Sequence, residues 1–308
     1  MPSDKPLISV VLCVHNVRPY VGEAVDSILG QTQGDFELLL YDDGSTDGTR
    51  DILQSLAERD DRIDLQLRDK GNYVANLIDG VRRARGEFLA RHDGDDVSRR
   101  DRFERQVALL REQPEVVCVG SRMTETDPFG VELCETDHEP DHETIDASFL
   151  QGNGWAVPQP AAMMRTDAVR RVGSYRTEAA SAEDIDLFLR LADIGRFANV
   201  MEPLVRYRRH AKSVNSTRGA EQRRVVWQAV RDARQRRGHL DPDAGGYASL
   251  DVAQMAMLPP DEALRRWGWN ALRRGEPLVA RRHARSLLRR RPMRWSSWKL
   301  AACAWRGR

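Results

Sequence analysis

Apolar and polar positions alternate along the first half of the chain in a regular way. "LISVVLCV" (7–14) is apolar and β-branched and reads as a buried strand, followed by a helical pattern from about Tyr20 to Leu29. "FELLLY" (36–41) is a second strand, and the turn-rich "DDGSTDGT" opens a helix reaching about Ala57. "IDLQL" (63–67) alternates as a strand, and Asn72 to Ala84 reads as a helix stopping near Gly86. "EFLAR" (87–91) is a fourth strand, a helix follows from about Asp101 to Arg111, and "EVVCVGSR" (115–122) is a fifth strand. Strand–helix alternation of this kind predicts an α/β domain whose parallel sheet is covered on both faces.

The second half is less regular. Residues 124–160 are rich in Asp, Glu, Pro and Gly and read as loops with one or two short strands. "AEDIDLFLRLADIG" (182–195) carries apolar residues at 185, 188, 191 and 194, a helical stripe stopped by Gly195. "PLVRYRRH" (203–210) is a late strand. From about Gly219 the pattern is helical, with breaks at Gly238–Pro242, Pro259–Pro260, Gly275–Pro277 and Pro292. The expected division is therefore an α/β domain over 1–218 and a helical extension over 219–308.

Composition narrows the class. With 308 residues, 41% hydrophobic and 31% charged, the chain can bury a sizeable core. Four dispersed cysteines form no CxxC pair, which disfavours a zinc site and suits a reducing cytosol. The apolar start covers only Leu7 to Val14, without a basic leader or cleavage site, so a strand is expected there rather than a signal peptide. No apolar run is long enough to span a bilayer. A cytoplasmic protein is expected, at most peripheral at the inner face of the cell membrane.

Charge is unevenly placed. Residues 261–308 hold 14 Lys/Arg against 3 Asp/Glu, leaving 34 against 44 in the remainder, so a +11 tail follows a −10 body. Five of the seven tryptophans lie in that tail. A basic, Trp-bearing amphipathic helix is suited to lying on an anionic membrane surface. The alternative is a helical cap that packs its tryptophans on the body. No nucleic-acid motif accompanies the charge, and no nucleic-acid partner is expected.

Candidate chemistry sits at the carboxyl ends of strands, where open α/β sheets bind ligands. "YDDGS" follows the second strand and "RHDGDD" the fourth. Such carboxylates disfavour a bare anion but can hold a hard divalent cation that binds phosphate oxygens. Asp93 and Asp95 flank Gly94 in a D-x-D spacing, which taken alone could also be a solvated turn. His92 alternates away from Asp93 along the strand and reads as a packed or exposed side chain. Neither GxxxxGK[ST] nor a GxGxxG after the first strand is present, so a nucleotide would be held through a metal rather than a glycine cradle.

Taken together, "ISVVLCVHN", "SILGQTQGDFELLLYDDGSTDGT", "ARGEFLARHDGDDVSRRDRFERQ", "AEDIDLFLRLADIG" and "EPLVRYRRHAKSV" resemble family 2 of the glycosyltransferases, from about Ile8 to Val214. The resemblance implies the GT-A fold, inversion, a nucleotide-diphospho-sugar donor, Mg²⁺ or Mn²⁺, and a hydroxyl acceptor such as a cell-surface or lipid-linked glycan. It implies that Asp43 meets the nucleobase, with Asp42 and Ser45 shaping the turn. It puts the metal on Asp95, with Asp93 at the ribose or behind a water. Asp184 is implied as the catalytic base, with Glu183 beside it as a substrate neighbour or helix cap. His210 stands where some relatives add a metal ligand; the alternative is a loop histidine. The family's usual Tyr-Asn is His15–Asn16 here, which changes the hydrogen bonds offered to a base. Its usual His-Pro is Gln159–Pro160, and "KGNYVANLIDG" is an imperfect version of the usual segment, so that only a weak contact of Lys70 or Asn76 with the donor is expected. Alternatives are a non-catalytic homologue, whose mark would be loss of Asp95 or Asp184, and a sugar nucleotidyltransferase, whose glycine-rich opening is absent.

Overall fold

The computed structural model describes residues 5–71, 73–210, 219–239 and 260–307. Asn72, the end of the family-like stretch at 211–214, and most of the breaks expected at 238–242 and 259 lie outside them. Two compact units are present. Within the described residues, the first comprises 5–71, 73–123, 136–207 and 220–239, and the second comprises 124–135, 208–210, 219 and 260–307.

The first unit begins as the alternation predicts: β1 (Ile8–Val14), α1 (Val21–Leu29), β2 (Phe36–Asp43), α2 (Thr49–Ala57), β3 (Ile63–Arg68), α3 (Tyr73–Arg83) and β4 (Phe88–Asp93). The strands β3, β2, β1 and β4 lie side by side and pair in parallel. Their side chains divide with period two. Ile8, Val10, Leu12, Leu38, Leu40 and Phe88 join the core under α1 and α2, while Val11, Cys13, Leu39, Tyr41 and Leu89 join the opposite core with α3. A strand buried on both faces has to be apolar throughout, which explains the near-continuous runs in β1 and β2.

The other half of the sheet is antiparallel. After β5 (Val97–Ser98) and α4 (Arg102–Glu112), β6 (Val116–Thr126) runs parallel to β4 as the β-α-β reading requires, but β8 (Met163–Arg165) is inserted antiparallel between them. The sheet continues to β9 (Arg196–Arg208) and ends on β5. The segment expected to be loops contains β7 (Glu132–Glu135) and also a helix, α5 (His142–Leu150). Asp141 caps α5 by accepting the Thr144 N–H at 3.0 Å, and Ile145 and Phe149, one turn apart, are its buried face. Then come α6 (Thr166–Arg171), α7 (Glu183–Ala192) and α8 (Gly219–Arg236), whose Val225, Val226, Ala229, Val230 and Ala233 join the core beneath α7.

The second unit pairs β7 with the end of β6 as a hairpin. Around it belong α9 (Pro260–Arg273), α10 (Pro277–Arg290) and α11 (Trp295–Arg306), with a small core of Ala271, Ala280, Ala284, Leu287, Leu300 and Ala304 to which Val131 of the hairpin adds. Asp127 at the hairpin turn accepts N–H groups of Phe129 (2.8 Å) and Val131 (3.0 Å), and its other oxygen is 2.6 Å from Nε2 of His283 on α10. No helix among the described residues is long and apolar enough to cross a membrane.

Candidate active site

The carboxyl ends of β1, β2 and β4 finish almost level, with Val14 opposite Asp42 and Cys13 opposite Asp93. Beyond β1, Asn16 adopts a left-handed conformation (φ 53°), which an asparagine tolerates better than most residues. Its side chain spans two loops: Oδ1 accepts the Thr46 N–H at 2.8 Å, and Nδ2 donates to Nε2 of His15 at 2.9 Å. His15 Nδ1 in turn donates to the Asp43 carbonyl at 2.9 Å. Both ring nitrogens of His15 are thereby engaged. The ring can meet a base only through its face.

Asp42 and Asp43 point to different tasks. Asp42 is fully buried, accepts the Ser45 N–H and is paired with Arg50 at 2.8 Å, so it builds the turn. Asp43 accepts from Gly71 N–H and from Asn76 Nδ2, both at 3.2 Å. Asn76 therefore holds Asp43 rather than reaching outward. Gly44 (φ 72°) lets this turn pass so close to Lys70 that a Cβ would stand 2.5 Å from its backbone nitrogen.

The D-x-D turn rests on β1. A Cβ on Gly94 would lie 2.4 Å from Val14 Cγ1, so the turn can seat only without a side chain there. Asp93 and Asp95 are half-buried, and beneath them lies a cation that the sequence reading missed. Arg91, with no exposed surface, donates to Asp93 Oδ1 at 3.2 Å, to the Tyr73 hydroxyl at 3.0 Å and to the Val11 carbonyl. A second buried arginine, Arg102, donates to the Arg91 carbonyl at 2.8 Å and to Ser98 Oγ at 3.0 Å; burial lowers its pKa to about 9. The signal for Arg91 was present in "EFLAR", a charge inside an otherwise apolar strand. His92 is wholly buried, its Nδ1 donating to the Asp93 carbonyl at 2.7 Å, and burial pushes its pKa down to about 3. It is a packed neutral side chain.

The amino end of α7 completes the cluster. Asp184 Oδ1 accepts the Ile185 N–H at 2.8 Å, and Glu183 accepts the Ser181 N–H at 3.1 Å. Oδ2 of Asp184 has no hydrogen-bond partner among the described residues, and Gly154 lies beside it. Desolvation dominates the titration of all three acids here, although the end of a helix favours carboxylates. It raises Asp93 to about 6, opposed by Arg91 and assisted by the charges of Asp95 and Asp184. Glu183 is raised to about 7 by burial and by Asp184, and Asp184 is itself raised by burial. Asp93 and Asp184 thus feel one another. The hydroxyl of Tyr175, buried and without a partner, belongs to the same neighbourhood of Arg91, Glu183 and Asp184. His210 is buried and belongs to the second unit.

Among the described residues no three His, Cys, Asp or Glu side chains form a metal cage. A pair of hard carboxylates flanking a turn nevertheless fits Mg²⁺ or Mn²⁺ of the kind that completes its shell with diphosphate oxygens.

The family model described as Glycosyl transferase family 2 matches residues 9–173. The chain belongs to that family. It is 34% identical over 234 residues to EpsE of Bacillus subtilis, which carries a provisional glycosyltransferase name, covering 73% of this chain and 82% of EpsE. It is 31% identical over 217 residues to the O-antigen biosynthesis glycosyltransferase WbnJ of Escherichia coli, covering 68% and 83%. Among solved structures, TarS residues 1–349 of S. aureus with UDP-GlcNAc superposes with a TM-score of 0.59 at 14% identity, over 97% of this chain and 89% of that one. Mannosyltransferase PcManGT from Pyrobaculum calidifontis, solved with GDP-Man and Mn²⁺, gives 0.55 at 17% identity, over 99% and 86%. These likenesses bear out the GT-A arrangement, a sheet with its parallel half at the acidic strand ends and helices on both faces. In this family member, then, the acidic strand ends and the start of α7 lie on one side of one sheet.

Proposed function

We propose that the chain transfers a sugar, with inversion, from a nucleotide-diphospho-sugar to a hydroxyl of a cell-envelope glycan, free or lipid-linked, with Asp184 as general base. The observation that supports this reading is the grouping of Asp93, Asp95, Glu183 and Asp184 above Arg91, with one oxygen of Asp184 left without a partner. Inversion requires a single base that takes the acceptor's proton as the hydroxyl attacks opposite the leaving group. A carboxylate whose pKa is raised by burial is a stronger base than one in water. Its Ile185 hydrogen bond fixes Oδ1 and directs Oδ2 to the acceptor.

Asp43, held by Asn76 and Gly71, would receive the nucleobase, with the face of His15 beside it. Asp95, with Asp93, would hold Mg²⁺ or Mn²⁺, and His210 is a further ligand in this reading. When bound, the metal supplies Lewis-acid neutralisation of the departing diphosphate. TarS and PcManGT were solved with a UDP-sugar and a GDP-sugar respectively, and WbnJ is named for O-antigen synthesis, which supports the donor class and the envelope acceptor. The test is calorimetric titration with UDP, GDP, dTDP and CDP, each with Mn²⁺ and with EDTA, on wild type, Asp95→Asn and Asp184→Asn. One nucleotide should bind only with metal, Asp95→Asn should lose that binding, and Asp184→Asn should keep it while losing turnover. Metal-independent binding, or near-normal turnover by Asp184→Asn, would overturn the respective assignment.

A further inference from the structure

The tryptophans of α11 do not pack inward, whereas Trp269 of α9 packs on the small core and Trp267 lies against His283. Trp295 is 79% exposed, Trp298 55% and Trp305 46%, and Met293 before them is 95% exposed. At 3.6 residues per turn the three tryptophans fall within an arc of about 80° on α11, opposite its buried Ser297, Leu300 and Ala304. They form a stripe about 15 Å long.

A basic stripe adjoins it. Leu278, Arg282, Arg285 and Arg289 of α10 are spaced at i, i+4, i+7 and i+11 and all face solvent. The two stripes meet where the guanidinium groups of Arg281 and Arg285 lie 5.9 and 5.3 Å from the centre of the Trp305 ring. At the other end, Trp298 Nε1 donates to the Pro292 carbonyl at 2.7 Å, which fixes the ring beside the turn that carries Met293.

The cations of this face are left without anions. Residues 277–308 hold ten Lys/Arg and no Asp or Glu. Arg290 and Arg291 are taken up by Asp261, and Arg274 by Glu132. Among the described residues, none of Arg282, Arg285, Arg289, Arg294, Lys299 and Arg306 has a carboxylate partner. A protein that only needed solubility would intersperse acids, and one that used the tryptophans as core would bury them.

We infer that this face of α10 and α11 is a docking surface for an anionic phospholipid bilayer. Arg282, Arg285, Arg289 and Lys299 meet the headgroup phosphates, and Trp295, Trp298 and Met293 enter the interfacial layer, where indole rings are favoured. The surface requires nothing of the catalytic reading, since none of its residues belongs to the proposed catalytic site.

The experiment is co-sedimentation of the full chain with vesicles of phosphatidylcholine alone and of phosphatidylcholine with 30% phosphatidylglycerol, at low and high salt, with tryptophan emission recorded in parallel. Binding is expected only to the anionic vesicles, with a blue shift of emission, and it should weaken strongly as salt screens the charges. Each basic residue near an anionic surface contributes roughly a fivefold gain in binding, so Arg282→Glu/Arg285→Glu/Arg289→Glu should lose at least about a hundredfold. Trp295→Ser/Trp298→Ser should lose the blue shift and most of the affinity. Both variants alter exposed side chains, so circular dichroism and nucleotide binding should match wild type. Equal binding to neutral vesicles, no vesicle binding by the folded wild type, or wild-type binding by either variant would overturn the assignment. So would a preference for a single-stranded oligonucleotide over the anionic vesicles, or a stable dimer that shields the tryptophans and leaves vesicles unbound.

Discussion

Arg91 holds its guanidinium 3.2 Å from Oδ1 of Asp93 while exposing none of its own surface. It is a built-in counter-charge beneath four carboxylates, and it opposes the raised pKa of Asp93, Glu183 and Asp184 alike. Arg91→Met should cost about 2 kcal/mol of stability by leaving Asp93, the Tyr73 hydroxyl and the Val11 carbonyl without their donor. It should also move the acid limb of the pH–rate profile upward. Urea unfolding and a pH profile check the two effects separately; Arg91→Lys, which keeps charge but not the fork, should recover the profile better than the stability.

The raised acids give activity and stability opposite dependences on pH. A carboxylate base works only when ionised, so turnover should rise through the elevated pKa of Asp184, above the ordinary aspartate range. For stability, the folded state holds protons that the unfolded chain has lost. The stability these acids contribute to the metal-free protein should be fully present below about pH 4, be lost as pH rises through about 6 and 7, and level off above. Glu183→Gln removes part of that loss, and after allowance for solvent screening at a half-buried group it should gain about 1 kcal/mol at pH 8. Unfolding at pH 5 and pH 8 with EDTA measures both slopes.

Gly94→Ala places a methyl 2.4 Å from Val14 Cγ1. The turn carrying Asp93 and Asp95 must lift, with an expected cost of about 1–3 kcal/mol and loss of donor binding. Val14→Ala should relieve the clash, so the double variant should bind better than Gly94→Ala alone. A double-mutant cycle on binding and stability reads the coupling.

His283→Ala leaves the buried Asp127 oxygen without its partner at 2.6 Å. The expected cost is about 1–3 kcal/mol, confined to the second unit. Hydrogen exchange should quicken in α10 and the β6–β7 hairpin and stay unchanged in β1, β2 and β4.

Much of this was written in local pattern. The apolar runs of β1, β2 and β4 and the glycine and proline breaks around α10 and α11 can be read without neighbours. The acids of the site could be named because each stands at the end of a periodic run. What could not be read depends on partners distant in the chain. β8 is three residues long and carries no period of its own; it exists because β4 and β6 leave a gap for it. Arg91 looked like the end of a strand, and only burial beneath Asp93 gives it a role. His15 looked like a base-reading edge until Asn16 and the Asp43 carbonyl took both its nitrogens. The helix α5 was different, since Asp141, Ile145 and Phe149 announce it and the surrounding acids and prolines masked them.

Asp127 leaves the ribosome 156 residues ahead of His283. At about 5–20 residues per second, its partner follows roughly 8–30 s later. The first unit counts none of α9, α10 and α11 among its elements and is expected to close while α10 is still unmade. The hairpin cannot, since Val131 packs on helices synthesised well over a hundred residues later. A chain terminated before α10 would therefore carry a formed sheet and an open hairpin with an acid awaiting its histidine.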